Sequence, residues 1–396
     1  MVTAQFLAET GDGISLVALP LYVWERTESE LWTSMTFAAE MGFGAIGAVI
    51  GGVLADTFDR QRVLLTSYLV RAALLVLAFA VDPLLAAVAF GVVARAGGQA
   101  DNPAFDALIP NQADGDLQQL LALRRLIQGV SFTVGPAVGA LIIAAIGPRP
   151  GLAVNAATFA VAFAVLCSVR GLDAGSVARR AEKAGQTVGD ALRDLAAGTR
   201  TILRSPGMTL VVVYMAYVMA TVGLLMAAAV VWFERDLDVG GYWFGLSVAG
   251  FGIGTIGGLA WAGSRRFTWS LPRVLVVAAP IYAVTCGISA AVEQPWILPI
   301  GWFLWGMALG PEFVLTELFI VASVPESGRG RAYAAIGIAT TIGQAIGYVV
   351  SGPLLEAFDA RWVILGTSAA VLAQIVIWLR PAIADEPHWR ALPADH

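Results

Sequence analysis

The sequence predicts an all-α integral membrane protein in which twelve transmembrane helices form two pseudo-symmetric six-helix bundles. Hydrophobic residues make up 58% of the chain and charged residues 13%, against about 45–50% and about 25% in globular domains. The apolar residues form stretches of the roughly 20 residues that a helix needs to cross a bilayer. The pattern also repeats, with GGVLADTFDRQR starting at Gly51 and GGLAWAGSRR starting at Gly257. Parallel repeats of this kind are typical of secondary transporters, whose substrate cavity lies between the halves near the bilayer midplane.

Polar and Pro- or Gly-containing breaks divide the chain into four regions. Residues 1–170 form the N-terminal bundle, 171–207 a cytoplasmic linker, 208–380 the C-terminal bundle and 381–396 a cytoplasmic tail. The linker has a basic amphipathic pattern that indicates either a helix on the inner membrane surface or a solvated helix without a lipid role. The predicted spans are 2–24, 32–55, 63–81, 84–108, 119–146, 151–170, 208–233, 241–263, 272–292, 296–323, 331–357 and 361–380.

The basic residues orient these spans. An even number of spans places both termini on one side of the membrane, and excess Lys and Arg marks the cytoplasmic side. With both termini inside, the outer side carries only four of the 24 Lys and Arg residues, Arg26, Arg149, Arg235 and Arg361. The first apolar stretch has no basic leader, so it is predicted to be a retained helix rather than a cleaved signal peptide. Its short leader leaves open whether the N-terminus is complete.

Several classes of function are excluded by what the chain lacks. Cys167 and Cys286 fall in apolar spans of different halves, which argues against a disulfide framework or a metal site. His388 and His396 both lie in the tail, so an imidazole-based active site within the membrane is excluded. No G-x-x-x-x-G-K-[ST] loop is present for ATP, and no basic cluster suggests nucleic acid. We therefore expect no cofactor, no metal and no nucleic-acid partner.

Four spans, the second, fifth, eighth and eleventh, are rich in glycine. Small residues at four-residue spacing let helix backbones approach closely. The pattern predicts either contacts between the two halves or ordinary packing within each half. The glycines are Gly42, Gly44, Gly47, Gly51, Gly129, Gly135, Gly139, Gly250, Gly254, Gly258, Gly343, Gly347 and Gly352.

Charged residues inside spans are candidates for function, because a charge near the bilayer centre costs at least about 2.5–3.5 kcal/mol. Glu9 and Asp12 share one face of the first helix and are predicted to point into the cavity. Trp302, Trp305 and Glu312 form a second stripe on the tenth helix. Aromatic rings beside a carboxylate suit an amphipathic or cationic organic molecule. These five residues are the predicted substrate contacts.

Proton coupling requires a buried carboxylate that takes up and releases a proton. Asp12, Glu40 and Glu312 are the candidates. Arg95 has two interpretations. It either modulates proton binding by these acids, or it and Arg71 merely neutralise Glu40 or Asp101 as structural pairs.

The stretch GVLADTFDRQR from Gly52 to Arg62 resembles the signature loop of the major facilitator superfamily, G-x-L-A-D-R-x-G/D-R-R/K, with departures at Thr57 and Gln61. With Asp59 at its G/D position, the loop resembles that of the family branch that contains drug and siderophore exporters. In the family this loop is a gate, so the resemblance implies that Asp56 and Arg60 form the gating pair. Asp59, Arg62 and Asp101 complete the predicted gate. The alternative is a basic loop that only fixes topology, with an aspartate as helix cap.

Two further stretches agree with the resemblance. The segment RAGGQA from Arg95 is similar to the family's R-x-x-x-G motif, whose arginine is linked to proton transfer. The segment GPAVGA, with Gly135, Pro136 and Gly139, resembles the G-P-x-x-G-G motif of antiporters, with Ala140 in place of the last glycine. These three residues are predicted to shape their helix. The stretch from Asn155 to Phe159 is also similar to the exporter branch.

Together these features predict a proton-coupled exporter of hydrophobic or amphipathic small molecules, of the multidrug, macrolide or siderophore type. It would work by alternating access as a monomer in the bacterial inner membrane, with its substrate, protons and lipid as partners. Two alternatives remain open. One is a facilitator or importer of a specific metabolite, and the other is a membrane enzyme or non-transporting sensor on the same scaffold.

Overall fold

A computed structural model of the chain describes residues 1–108, 117–169, 206–264, 267, 269–324 and 326–384. Over these residues the chain is helical, with twelve α-helices, one π-helix and no strand. The predicted linker, apart from residues 206 and 207, and the tail beyond residue 384 lie outside the described residues. The helices are α1 Val2–Thr27, α2 Glu30–Thr57, α3 Arg60–Ala80, α4 Leu84–Leu108, α5 Leu117–Ile146, α6 Pro148–Ser168, α7 Pro206–Val231, α8 Tyr242–Ala262, α9 Leu271–Val292, α10 Ile297–Ser323, α11 Glu326–Ala357 and α12 Ala360–Ala384.

Each predicted span coincides with one of these helices, which confirms the predicted fold class. Ten helices in the described ranges are long and apolar enough to cross a membrane, so the protein is a multi-pass membrane protein. In α4 the polar residues Arg95, Gln99 and Asp101 lower the mean hydropathy. In α12 the apolar part within the described ranges is Ala360–Val376. The predicted span 208–233 ends inside a π-helix, Trp232–Asp236, which continues α7.

Local chemistry fixes the turns between the first helices. α1 ends where Glu28 adopts a left-handed conformation, with φ of 46°, and its N–H bonds the carbonyl of Trp24. The next residue, Ser29, is the N-cap of α2 and accepts a hydrogen bond from the backbone N–H of Trp32. Ser is a favoured N-cap because its oxygen satisfies an N–H that the helix leaves unpaired. The chain therefore reverses within three residues.

The chain divides into two compact units, unit 1 from Met1–Arg193 and unit 2 from Asp194–His396. The boundary falls inside the predicted linker. In unit 1, α1 packs on α5 and α6, α2 packs on α4, and α3 packs on α4 and α6. In unit 2, α7 packs on α11 and α12, α8 packs on α10, and α9 packs on α10 and α12. Each helix pair of unit 2 corresponds to a pair of unit 1 when six is added to both helix numbers. A repeated six-helix pattern requires this correspondence.

The glycine-rich helices pack within their own unit. On α5, a Cβ added to Gly135 would lie 2.8 Å from the Cα of Gly13 on α1, and the ring of Pro136 lies against the same glycine. On α8, a Cβ added to Gly254 would lie 2.9 Å from the carbonyl carbon of Phe303 on α10. Such distances are shorter than real Cβ contacts, so these two helix pairs approach backbone to backbone. Gly135 and Gly254 thus serve packing within their own unit, which agrees with the second interpretation for these two positions.

Candidate functional site

In unit 1, five buried or half-buried charged side chains from four helices lie together. Asp12 lies on α1, Glu40 on α2, Arg71 on α3, and Arg95 and Asp101 on α4. We call this group the charge cluster. The packing of α3 against α4, and of α2 against α4, brings the acids and bases from separate helices together. Three of the five, Glu40, Arg71 and Asp101, are at most 6% exposed.

Arg71 is the centre of the charge cluster. Its Nη1 donates to Asp101 Oδ2 at 2.9 Å, and its Nη2 donates to Asp12 Oδ1. Its Nε donates to the carbonyl of Ala94 at 2.7 Å. The guanidinium carbon lies 3.9 Å from the centroid of the Phe159 ring, within the range of a cation–π contact. The cation is therefore held by hydrogen bonds along its edges and by an aromatic ring on one face.

Arg95 links the rest of the cluster. Its Nε lies 3.2 Å from Glu40 Oε2, and its Nη1 donates to the backbone carbonyl of Asp12 at 2.8 Å. The other carboxylate oxygen of Glu40, Oε1, is buried and has no hydrogen-bond partner among the described residues. The same holds for Oδ1 of Asp101 among the described residues, so each of these two acids has one oxygen without a hydrogen-bond partner.

The charge cluster contains one more acid than base. Asp12, Glu40 and Asp101 face two guanidiniums, those of Arg71 and Arg95. An uncompensated buried charge is costly. Uptake of one proton by one of the three carboxyl groups would make the cluster neutral.

Two glycines of α4 make room for the Arg71 side chain. A Cβ added to Gly98 would lie 2.6 Å from Asp12 Oδ2 and 3.1 Å from Arg71 Nη2. A Cβ added to Gly97 would lie 2.7 Å from Cδ of Arg71. Glycine at these positions is therefore required by the ion pair, a steric role that the motif alone does not reveal.

The segment from Asn155 to Phe159 fastens α6 to α1 beside the cluster. Asn155 Nδ2 donates to Ser15 Oγ at 2.6 Å, and Thr158 Oγ1 donates to the Asn155 carbonyl at 2.8 Å. Phe159, the next residue, supplies the ring that covers Arg71. On the first turns of α1, Glu9 is half-buried and accepts a hydrogen bond from Gln5 Nε2 at 2.8 Å.

The predicted gate loop joins α2 to α3. Asp59 is the N-cap of α3 and accepts a hydrogen bond from the backbone N–H of Arg62 at 2.8 Å. Arg60 is buried, and its Nε donates to the carbonyl of Ala55 at 3.4 Å. The side chain of Arg62 is exposed, and that of Asp56 lies outside the described residues. Asp101, predicted as part of this gate, belongs to the charge cluster.

Gln61, one of the two departures from the signature loop, contacts another helix. Its Nε2 donates to the carbonyl of Val169 at 2.6 Å and to that of Leu166 at 3.3 Å. These carbonyls lie at the C-terminal end of α6, where the last carbonyls of a helix lack the usual intrahelical donor, although that of Leu166 also accepts from the Val169 N–H at 3.3 Å. A neutral amide therefore fastens the gate loop to α6.

Unit 2 contains a small, partly open cavity of about 20 Å³ that is lined by four helices. Polar and aromatic side chains line it together, which distinguishes it from the apolar surroundings. We call it the aromatic cavity. Its lining residues are Tyr214, Val218, Thr221, Ala278, Ala279, Tyr282, Trp305, Leu309, Glu312, Val371 and Gln374.

Glu312 is the only acid among the lining residues, and it is 3% exposed. It shares a hydrogen bond with the side chain of Tyr214. Among the residues that the structure describes, Glu312 has no ion pair with a Lys or Arg. Gln374, which is 4% exposed, has a buried Oε1 without a hydrogen-bond partner in the same part of the chain. The aromatic cavity is thus rich in acceptors.

The two tryptophans of the predicted stripe on α10 have different surroundings. Trp305 lines the aromatic cavity, with ring centroids 4.8 Å from Tyr282 and 4.9 Å from Phe251. Trp302 is 1% exposed and packs at 6.3 Å against Phe244 of α8, outside the lining of the cavity. Trp305 and Glu312 therefore line one cavity, whereas Trp302 lies in the packed interior of unit 2 with its ring centroid 6.4 Å from that of Trp305.

The structure also adds residues that the motif analysis did not select. Arg71 was recognised only as a structural counter-charge, although it contacts two predicted site residues. Tyr214, Tyr282 and Gln374 were missed because single polar residues in apolar spans form no spacing pattern. In the described ranges, no group of three or more His, Cys, Asp or Glu side chains is placed to hold a metal ion.

Comparison with known proteins identifies the class. The family model described as Major Facilitator Superfamily matches residues 1–271 and 268–394. The repeated helix pairing of the two units agrees with this match. The protein is therefore a membrane transporter rather than an enzyme, and the chain belongs to the Major Facilitator Superfamily.

Curated relatives match along nearly the whole chain. The multidrug efflux pump Tap of Mycobacterium tuberculosis is 24% identical, with 96% of this chain and 93% of the relative covered. Tap of Mycolicibacterium fortuitum is also 24% identical, with 95% and 94% covered. The MFS-type transporter YfiS of Bacillus subtilis is 23% identical, with 90% and 86% covered.

Solved structures share the fold. The nucleoside transporter NupG has a TM-score of 0.71 at 14% identity, with 96% of this chain and 98% of that chain covered. A mutant of the peptide transporter POT also has a TM-score of 0.71, at 13% identity, with 98% and 95% covered. At these identities the likeness concerns the architecture alone.

Proposed function

We propose that this transporter exports drug-like, hydrophobic or amphipathic small molecules from the cytoplasm in exchange for protons. The observation that carries the proposal is the full-length similarity to proteins named multidrug efflux pump. The signature loop, the glycine–proline motif and the arginine of α4 support an exporter by their resemblance to that branch of the family. The same proposal places the protein in a bacterial inner membrane as a monomer, with both termini in the cytoplasm.

The charge cluster of unit 1 supports protons as the coupling ion. Three carboxylates, of which those of Glu40 and Asp101 are buried, face two guanidiniums, so the cluster reaches neutrality by taking up one proton. Arg71 is 2% exposed and pairs with both Asp12 and Asp101, whereas Arg95 is 24% exposed and pairs with Glu40 at 3.2 Å, so the Glu40–Arg95 pair is the one whose cation is partly open to solvent. We assign the exchangeable proton to the Glu40–Arg95 pair, with Asp12 as its nearest acidic neighbour.

The substrate contacts proposed in unit 2 are Glu312 and Trp305, which line the aromatic cavity. Aromatic faces and one carboxylate provide apolar contact and a charge partner for an amphipathic molecule. The gate loop from Asp56 to Arg62 is proposed to control access from the inner side. Alternating access then requires that proton binding in unit 1 and substrate binding in unit 2 favour different conformations.

Transport by inverted membrane vesicles tests the proposal. In such vesicles export appears as uptake, so a respiration-generated proton gradient, acidic inside, should drive accumulation of an amphipathic fluorescent drug. An uncoupler should abolish this accumulation. Uptake that is insensitive to the uncoupler, or substrate movement only in the opposite direction, would overturn the proposal in favour of a facilitator or an importer.

Variants of the cluster test the assignment of the proton. Glu40→Gln should abolish gradient-driven accumulation while substrate binding to the purified protein is retained, because the amide cannot exchange a proton. Asp12→Asn should give the same loss. Glu317→Gln is the matched control, since Glu317 is an exposed acid on α10 that accepts a hydrogen bond from the Tyr333 hydroxyl at 3.2 Å. Unchanged accumulation in Glu40→Gln would remove Glu40 from the coupling role.

A further inference from the structure

We propose that the aromatic cavity of unit 2 binds the ammonium group of primary and secondary amines, with Glu312 as its counter-ion. This inference rests on the proposed export function, because it names the substrate class that the exporter recognises. It also separates the roles of the buried acids, since Glu312 binds the substrate and does not carry the coupling proton.

The first argument is the imbalance between acceptors and cations in the cavity. The lining contains the carboxylate of Glu312 and the amide oxygen of Gln374, which is buried without a hydrogen-bond partner among the described residues. It contains no Lys, Arg or His. Some hydroxyls are already committed, since Thr221 Oγ1 donates to Val218 O at 2.7 Å and the Tyr282 hydroxyl donates to Thr367 at 3.3 Å. A ligand with several N–H donors and a positive charge satisfies what remains.

The second argument is size. A cavity of about 20 Å³ exceeds the roughly 10–15 Å³ that one water molecule needs. An ammonium group has nearly the dimensions of water and donates up to three hydrogen bonds. A quaternary trimethylammonium group or an aromatic ring is several times larger. The cavity therefore selects the charged end of an amine, while the apolar remainder of the molecule must lie outside it.

The third argument is the aromatic lining. Tyr214, Tyr282 and Trp305 line the cavity together with the acid, and aromatic faces attract organic cations by cation–π interaction. Hard metal cations instead prefer six or more oxygen ligands. No cluster of acids and imidazoles for such an ion occurs in the described part of the chain. The lining thus favours an organic ammonium over an inorganic cation.

The charge cluster of unit 1 offers no equivalent site. There, Asp12 and Asp101 bind Arg71, and Glu40 binds Arg95. An amine entering the cluster would have to displace a guanidinium that is already hydrogen bonded. In unit 2 the carboxylate of Glu312 forms no ion pair within the described residues, so no such displacement is needed.

Binding to the purified full-length protein in detergent tests the inference without requiring transport. The probes are 3-phenylpropylamine and its N-acetyl derivative, which share the ring and the chain but differ in charge. Titration calorimetry should show that the amine binds at least about tenfold more tightly, as expected for a buried charge-assisted contact. Glu312→Gln should reduce the affinity for the amine to that for the amide.

Three further variants make the result specific. Glu312→Asp keeps the charge and should keep the preference for the amine, which provides a second measurement if the amide variant does not fold. Gln374→Leu should weaken amine binding about threefold, because one neutral acceptor is lost. Glu317→Gln removes an exposed charge from the same helix and should leave both affinities unchanged.

Equal affinity of the wild-type protein for the two probes would overturn the inference, and so would a preference for the amine that persists in Glu312→Gln. The export function is tested by a different measurement, proton-driven uptake in vesicles. Amine binding that depends on Glu312, without proton-driven uptake in vesicles, would leave this site intact and contradict export. Proton-driven uptake without any preference for the amine would support export and contradict the amine site.

Discussion

The two units share one scaffold but bury charge in opposite ways. In unit 1, five charged side chains from four helices form ion pairs, with Arg71 between Asp12 and Asp101 and Arg95 beside Glu40. In unit 2, a single acid, Glu312, lies among aromatic rings with Tyr214 as its hydrogen-bond partner. The helix pairing is the same in both units, so topology does not dictate the electrostatics. A charge held by protein partners fixes its surroundings, whereas a charge without an ion-pair partner is available to a ligand.

The largest expected effect comes from removing the central cation of the charge cluster in unit 1. Arg71→Leu leaves Asp12 and Asp101 without their cation, and loss of one partner of a buried ion pair costs about 3–5 kcal/mol. Glu312→Gln should lower the free energy of unfolding by less than about 1 kcal/mol, because it leaves no opposite charge unpaired. Denaturant unfolding in detergent micelles measures both. Adding Asp12→Asn and Asp101→Asn to Arg71→Leu should restore at least half of the loss.

Comparable destabilisation by Arg71→Leu and Glu312→Gln would contradict the distinction between the units. It would mean that Glu312 is held as tightly as the charge cluster.

A somewhat smaller effect is expected at the contact between α8 and α10. Gly254→Ala places a Cβ against the backbone of Phe303, and a backbone cannot move aside as a side chain can. We expect a loss near the upper end of the 1–3 kcal/mol range for overpacking. Gly287→Ala on α9, where nothing lies within 4 Å of the added Cβ, is the matched control. Equal unfolding free energies for the two variants would show that α8 and α10 can separate without cost.

Overpacking the charge cluster should cost less. In Gly98→Ala the new Cβ meets Asp12 Oδ2 and Arg71 Nη2, which are the ends of side chains. We expect a loss of about 1–2 kcal/mol together with slower proton-driven transport, because the ion pair must shift. Gly42→Ala on α2, whose Cβ would meet open space, should leave stability and transport rate unchanged. A normal rate in Gly98→Ala would indicate that the position of this pair is not critical.

The smallest effect is expected in the aromatic core of unit 2. Trp302→Phe removes packing volume but also a buried indole N–H that has no partner among the described residues, so the two contributions oppose each other. The free energy of unfolding should change by no more than about 1 kcal/mol. Affinity for phenylpropylamine should be unchanged, since Trp302 does not line the cavity. Trp305→Phe should weaken that affinity. A loss of affinity in Trp302→Phe but not in Trp305→Phe would show that Trp302, and not Trp305, contacts the amine.

Span length and break residues predicted the fold well. The span predicted at 84–108 coincides with α4, Leu84–Leu108, and the span at 241–263 with α8, Tyr242–Ala262. These features are local, because each depends on the apolar length that a bilayer imposes. The π-helical continuation of α7 was not predicted, since the hydrophobic pattern does not distinguish it from an α-helical turn.

The candidate site could be predicted only in part. The pairs Arg95–Glu40 and Arg71–Asp101, one of the two interpretations of these arginines, are present in the structure. The additional contact from Arg71 to Asp12 depends on how three helices pack. Helical periodicity gives the face of a residue but not the neighbour that the face meets. For the same reason the pattern does not show that Trp305 lines the aromatic cavity whereas Trp302, whose ring packs edge-on at 6.4 Å from it, does not.

The hydrogen bonds from Gln61 to the end of α6 have a practical consequence. They join the start of α3 and the end of α6 into one rigid piece on the side where the gate loop lies. Spin labels on the exposed positions 62 and 168 should therefore keep a constant separation throughout the working cycle. The distance between these two labels would serve as a fixed reference for measuring the displacement of any other labelled helix.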